Sequence, residues 1–315
     1  MNSASLRPQR PVSEQQQTEQ LIQDILTDAV DRRQLFPPAA MMRGYSHHQH
    51  KTQQQFTVQT QGGAFFIKTQ ELHALPRFAA EQDSLLSILA TQTIAVAAPL
   101  SAGTLQRGDT PAMAYLILQH IPLAVHGDWF SAGQQLAQMH SHHSQQGYGF
   151  GRTTWCGEHA QDNRWNQHWG DFFVQQRLLP MLQALQQQGI NLPHQEQALD
   201  YARRLLEDHQ PPASLLHGDL WSGNIGFNPD RQLSYPVLFD PASYYGDAEA
   251  DLAMTELFGR FPQRFYEGYH SIAAVRPGYE QRRPLYQLYH LLNHAGQFGG
   301  SFLLQAKHLL AQMHD

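Results

Sequence analysis

The chain has 315 residues, 41% of them apolar and 15% charged, enough for one large or two medium domains with a buried core and too apolar for a disordered chain. Its 21 Lys+Arg against 27 Asp+Glu give a formal charge of −6, the opposite of what a phosphate-tracking nucleic-acid binder carries. A single cysteine, Cys156, excludes an internal disulfide or a Cys-rich zinc site and fits a reducing, cytoplasmic setting, while the lack of a long apolar run argues against a membrane partner.

Residues 1 to about 14 are polar and read as a frayed leader. Leu21, Ile22, Ile25, Leu26 and Val30 then recur at helical spacing, and Pro37-Pro38 ends that helix. Arg43-Gly44-Tyr45-Ser46-His47-His48 reads as a turn with one glycine. Phe56 and Val58 alternate with polar residues, Gln61-Gly62-Gly63 supplies a turn, and Ala64 to Lys68 continues as a strand, which together make a hairpin. Phe78, Glu81, Leu85, Ile88 and Leu89 share one side of a helix, and the Glu81 carboxylate on that apolar stripe asks for a cation. Met113 to Leu118 is a further strand, ended by Gln119-His120-Ile121-Pro122. The reading therefore sets an N-terminal lobe over residues 15–122 and a C-terminal lobe over 123–315.

Beyond that boundary helices are expected at about 129–143, 162–187, 195–208, 249–259 and 284–311. Strand-length apolar pieces interrupt them at Ser214 to His217, Ile225 to Phe227 and Pro236 to Asp240. No repeat of solenoid or propeller length is present. The fold class is α+β, a small β-rich lobe and a larger, mainly helical one.

The densest chemistry is HGDLWSGN, residues 217–224, followed by VLFDPA with Asp240 at a strand end. Phosphoryl transfer from ATP needs a base, hard oxygen ligands for Mg²⁺ and a lysine near the phosphates, because catalysis is mostly positioning and charge neutralisation. Asp219 can accept the proton of an attacking hydroxyl. Asn224 and Asp240, five and 21 residues downstream, are oxygen ligands at the spacing of a catalytic loop and a metal-binding strand end. Upstream, Lys68 at a strand end can reach phosphates, with Glu81 holding it by an ion pair. Trp221, Tyr244, Tyr245 and Asp247 lie close by in the chain and offer aromatic faces and a carboxylate to a bound hydroxyl acceptor. Asp251 reads as a brace for the catalytic loop.

HGDLWSGN and the following DPASYYGDAEADLAMTELFG, residues 240–259, resemble the fructosamine kinase family, also called ketosamine-3-kinases. The resemblance extends through Asn163-x-Trp165-x-x-x-Trp169-x-x-Phe172-Phe173-x-x-x-Arg177-Leu178 and YQLYHLLNHAGQFGG, residues 286–300, and covers roughly 56 to 310. It implies a protein-kinase-like bilobal fold and ATP- and Mg²⁺-dependent phosphorylation of the sugar 3-hydroxyl of ketosamines, free or on protein lysines, as a deglycation step. By this resemblance Asp219 is the base, Asn224 and Asp240 the metal ligands, Lys68 and Glu81 the ATP-side pair, Gln119, His120 and Ile121 the hinge that reads adenine, and Trp221 part of the sugar pocket. The glycine-poor phosphate turn and Ala248, where the family has arginine, depart from the pattern. Two alternatives stand beside this reading: a kinase-fold phosphotransferase for another small hydroxyl acceptor (an aminoglycoside, choline or a sugar), and a silent nucleotide-binding regulator.

Three further features read as structural. The His47-His48-x-His50 and His140-x-His142-His143 clusters read as solvated histidines, Gly147-x-Gly149-x-Gly151 as a loop, and Asn293 and His294 as hydrogen-bonding groups of an apolar helix.

Overall fold

The computed structural model describes residues 13–50, 53–108, 111–229 and 234–313, so most of the leader expected at the N-terminus lies outside the described residues. In chain order the first part carries α1 (Glu14–Asp31), β1 (Met42–His50), β2 (Gln53–Thr60), β3 (Gly63–Glu71), α2 (Leu75–Thr91), β4 (Ala95–Val96), β5 (Pro99–Leu105) and β6 (Met113–Gln119). Two compact units form. Met1–Leu75 with Pro99–His120 make one, and Pro76–Ala98 with Ile121–Asp315 make the other.

The first unit is an antiparallel five-stranded sheet in the order β1-β2-β3-β6-β5 with α1 packed on it. Helix α1 starts at a capping box in which Ser13 accepts from the Gln16 backbone and the Gln16 side chain accepts from the Ser13 N–H. Its face of Leu21, Ile22, Ile25, Leu26 and Ala29 is buried with Phe56, Val58, Phe65, Ile67, Tyr115 and Ile117. Each fully buried Leu or Ile of that kind contributes about 1.5–3 kcal/mol. The Tyr115 hydroxyl donates to Asp28 at 2.5 Å and ties the helix to β6.

Two expectations change here. Residues 43–48 are not a turn: they run inside β1, with an irregularity between Met42 and Gly44, and the pairing of His50 with Gln53 puts the β1–β2 connection at 51–52, outside the described residues. As a polar edge strand β1 lacks the apolar alternation that marks a half-buried strand. Strand β5, with Ser101, Gly103 and Thr104 among its seven residues, hid for the same reason.

In the second unit α2 buries Phe78, Ala80, Ser84, Leu85 and Ile88, whereas Leu89 falls past the edge of that face and is 41% exposed. Residues 76–98 join this unit through β4, which pairs in parallel with β11 (Tyr235–Leu238), and through the Ser243 N–H donating to the Ser84 hydroxyl. The remaining helices are α3 (Trp129–His140), α4 (Trp169–Phe173), α5 (Leu179–Gln187), α6 (Gln195–Leu206), α7 (Ala248–Leu257), α8 (Gln263–His270), α9 (Tyr279–Phe298) and α10 (Gly300–Gln312). Short strands β7 (Thr154–Cys156), β8 (His159–Gln161), β9 (Ser214–Leu215), β10 (Ile225–Asn228) and β12 (Tyr245–Gly246) lie between them. The helix expected at 162–187 starts only at α4 and passes through a π-helical turn at Val174–Leu178 before α5. The one expected at 284–311 is two helices, α9 and α10, divided where Gly299 and Gly300 take positive φ.

Candidate active site

The loop at 217–224 is held by backbone and by one carboxylate. Asp251, on the first turn of α7, accepts from the His217 N–H at 2.7 Å and the Gly218 N–H at 2.9 Å, and its Oδ2 also meets His140 Nε2 at 3.1 Å. Burial would raise the Asp251 carboxyl, but the hydrogen bond and charge of His140 and the Gly218 N–H outweigh it and hold it below the usual carboxylate range. Burial pushes His217 down, so its imidazole is neutral. Its Nε2–H donates to the Phe239 carbonyl at 3.0 Å while Nδ1 accepts from the Asp219 N–H at 3.2 Å. Gly218 has φ +84° and a Cβ there would stand 2.2 Å from the Ala242 carbonyl, so the bend into Asp219 requires glycine.

Asp219 projects from this anchored bend. Its carboxyl is pushed up to about 7, chiefly by burial and further by the charges of Asp240 and Asp251, against the opposing effect of the nearby Cys156 thiol and Asn224 amide. A carboxylate whose proton affinity is raised toward neutrality is suited to take a proton from a hydroxyl. Asn224 is buried and its Nδ2 donates to the Asp219 carbonyl at 2.8 Å, which points its Oδ1 away as an oxygen donor. Asp240 sits just past β11 in the left-handed region at φ +55° and is exposed. An amide oxygen and a carboxylate are the hard donors that Mg²⁺ prefers, and the donor chemistry of this pair fits that ion.

Trp221 is 36% exposed. A Cβ at Gly223 would stand 2.3 Å from its ring, so the small residue is what lets the indole pack against the loop. Tyr245 is half-buried in β12 with its ring near Trp165 and Phe150. Tyr244 points the other way, because neighbours on a strand alternate: it is 2% exposed, stacks on Phe172, and has the Arg177 guanidinium 4.0 Å from its ring centroid. It is a core residue, not a sugar-facing one. Asp247 is corrected likewise. It caps α7 through the Glu249 N–H and accepts from Tyr286 at 2.6 Å, with His209 Nε2 at 2.7 Å, so its carboxylate is already spent on the fold.

In the first unit Lys68 is 3% exposed, in the middle of β3 between Gln55 of β2 and Leu116 of β6. A lysine in a central strand is not a solvated edge charge. Gln119 ends β6 opposite Phe65, and the His120 N–H donates to the Ala64 carbonyl; Ile121 opens the second unit's segment. Glu81 is part-buried on α2, in the second unit.

Several residues of the site were missed or misread. His140 is not solvated: it is 3% exposed and bridges Asp251 and the Tyr269 hydroxyl. Arg177 is fully buried, donates to Asn163 Oδ1 and to the Asp162 carbonyl, and lies between Phe172 and Tyr244; the Asn163-to-Leu178 motif therefore builds the wall behind Tyr244. Cys156 and His290 gather beside Asp219, a convergence from three distant segments that no local pattern carries.

A family model described as Fructosamine kinase matches residues 33–315. A Synechocystis protein named "Probable ketoamine kinase slr1563" is 40% identical over 250 residues, covering 79% of this chain and 82% of that one. An Arabidopsis thaliana "Protein-ribulosamine 3-kinase, chloroplastic" is 35% identical over 257 residues, 80% and 76% of the two chains. The crystal structure of a Haemophilus somnus 129PT protein assigned as a fructosamine-3-kinase superposes with a TM-score of 0.80 at 26% identity, covering 87% and 92%. Among the described residues no helix is long and apolar enough to cross a membrane.

Proposed function

The chain belongs to the fructosamine kinase family, and from that premise we propose that it phosphorylates the sugar 3-hydroxyl of ketosamines, fructosyl or ribulosyl amines free or on protein lysines, with ATP and Mg²⁺. The observation that carries this reading is Asp219, a carboxylate with proton affinity raised to about 7 on a loop pinned by Asp251.

The acceptor hydroxyl gives its proton to Asp219 as its oxygen attacks the terminal phosphorus of ATP, and the bond from that phosphorus to the bridging oxygen breaks to release ADP. The anchored bend keeps that carboxylate in place, so little reorganisation accompanies the transfer. Asn224 and Asp240 would hold Mg²⁺, which supplies neutralisation of the charge spreading over the transferring phosphoryl group. Trp221, partly exposed on the same loop, is an aromatic group suited to the C–H face of a sugar. Lys68 is assigned to the nucleotide phosphates, and Gln119, His120 and Ile121 to adenine. With Asp247 committed to the fold, recognition of the substrate amine falls to groups other than that carboxylate.

The test is ADP release with Mg²⁺-ATP and ribulosyl-lysine or fructosyl-lysine against unmodified lysine, choline and an aminoglycoside. Turnover dependent on the sugar amines, and lost in Asp219→Asn, supports the reading. Turnover with the aminoglycoside or choline instead would replace the acceptor.

A further inference from the structure

Cys156 ends β7, Asp219 sits on the catalytic loop and His290 lies within α9. One donor atom of each, a thiol sulfur, a carboxylate oxygen and a ring nitrogen, lies within 4.8 Å of the other two. His290 Nδ1 and Asp219 Oδ1 face each other at 3.9 Å, too far for a hydrogen bond, and neither of these buried atoms has a partner. The His290 side chain is 5% exposed, so its orphaned nitrogen cannot turn to water. Buried polar atoms left unpaired cost free energy, and two of them aimed at one spot beside a thiol call for a cation.

The donors decide which cation. Thiolate, imidazole and one carboxylate oxygen are a borderline-soft set, unlike the hard oxygens of Asn224 and Asp240. Bond lengths of about 2.0–2.3 Å around Zn²⁺ put neighbouring ligand atoms about 3.5 Å apart, and three protein ligands with one open position are a familiar zinc arrangement. The cluster reaches that spacing with side-chain shifts of about 1 Å. Asn293 Nδ2 lies 3.0 Å from the Cys156 sulfur, donating the kind of N–H that stabilises a metal-bound thiolate. We propose that Cys156, Asp219 and His290 form a Zn²⁺ site, distinct from the Mg²⁺ ligands, and that its occupancy stops turnover by taking the Asp219 carboxylate.

Binding converts the Cys156 thiol to a zinc thiolate and releases its proton to solvent. The Asp219 side chain is 17% exposed and gives the ion its way in, whereas Cys156 is 1% exposed. Once Oδ1 is coordinated, Asp219 no longer accepts the hydroxyl proton. The effect on turnover rests on the proposed role of Asp219; the binding does not.

The test uses the full chain, stripped of metal and free of nucleotide, titrated with Co²⁺ as a coloured stand-in for Zn²⁺. One equivalent should give thiolate-to-cobalt charge-transfer absorption in the near ultraviolet, reversed by Zn²⁺. Cys156→Ser should abolish that band, and Asn293→Ala should weaken binding about 10- to 100-fold. In assays with excess Mg²⁺-ATP, Zn²⁺ should inhibit, and a zinc-selective chelator should restore the rate. No charge-transfer band in the unmodified protein, or an unchanged band in Cys156→Ser, overturns the site. A cobalt band with turnover indifferent to Zn²⁺ overturns the inhibition, and a band in a protein that phosphorylates no ketosamine overturns the proposed function while the site stands.

Discussion

Replacing Asp219 by Asn should make the protein more stable while removing its activity. In the folded chain the Asp219 carboxyl is raised from 3.8 to about 7, chiefly because burial disfavours its charge. Between those two values the folded state keeps a proton that the unfolded state has released, so stability falls as pH rises and levels off above about 7. The amide of Asp219→Asn is neutral throughout and shows no such fall. About two pH units separate pH 5 from the folded pKa, and at 1.36 kcal/mol per unit the variant should gain on the unmodified protein by about 2–3 kcal/mol between pH 5 and pH 8. For a unit of this size that corresponds to about 4–12 °C in thermal midpoint. The assay is a series of melts across that range without Mg²⁺ or nucleotide, paired with ADP release at neutral pH, where turnover should fall about 10²- to 10⁴-fold. A difference in stability that does not grow with pH, or a variant less stable at pH 8, would refute the burial argument; near-normal turnover would refute the role of Asp219.

Asp251→Ala leaves two buried backbone N–H groups, of His217 and Gly218, without their acceptor, and should cost at least about 2 kcal/mol in denaturant melts along with most of the activity. Gly218→Ala meets the Ala242 carbonyl in a left-handed conformation, so the loss in turnover should exceed what the roughly 1–2 kcal/mol backbone penalty alone does to the melt. Lys68→Met should lower kcat/KM for ATP about 10²-fold with the fold intact by circular dichroism. An enzyme indifferent to that change would remove Lys68 from the nucleotide site.

Where information is local, the sequence was readable. The apolar face of α1 and the glycine-bounded loop around Asp219 each sit within about 20 residues and obey short-range rules of spacing and backbone, whereas the capping box at Ser13 and Gln16 falls in the stretch that reads as leader. Elements whose identity is tertiary were not. Polar β1 and β5 are strands because of what pairs with them rather than their own alternation. Tyr244 and Tyr245 are adjacent and chemically alike, yet strand geometry sends one into the core beside Arg177 and leaves the other half-buried. His140 belongs to a run of histidines that looks solvated, and only the approach of α7 brings Asp251 to it. Asp247 reads as a pocket carboxylate in the sequence because its bonds to His209 and Tyr286 depend on two distant segments.

The most direct test of the central claim is the position of the phosphate in the product. Ribulosyl-lysine or fructosyl-lysine would be incubated with the protein and Mg²⁺-ATP and the product examined by phosphorus–proton correlation NMR. The account predicts a single phosphate on the sugar 3-hydroxyl, absent with Asp219→Asn. A phosphate on another hydroxyl, or no transfer to a sugar amine beside transfer to a different acceptor, would contradict it.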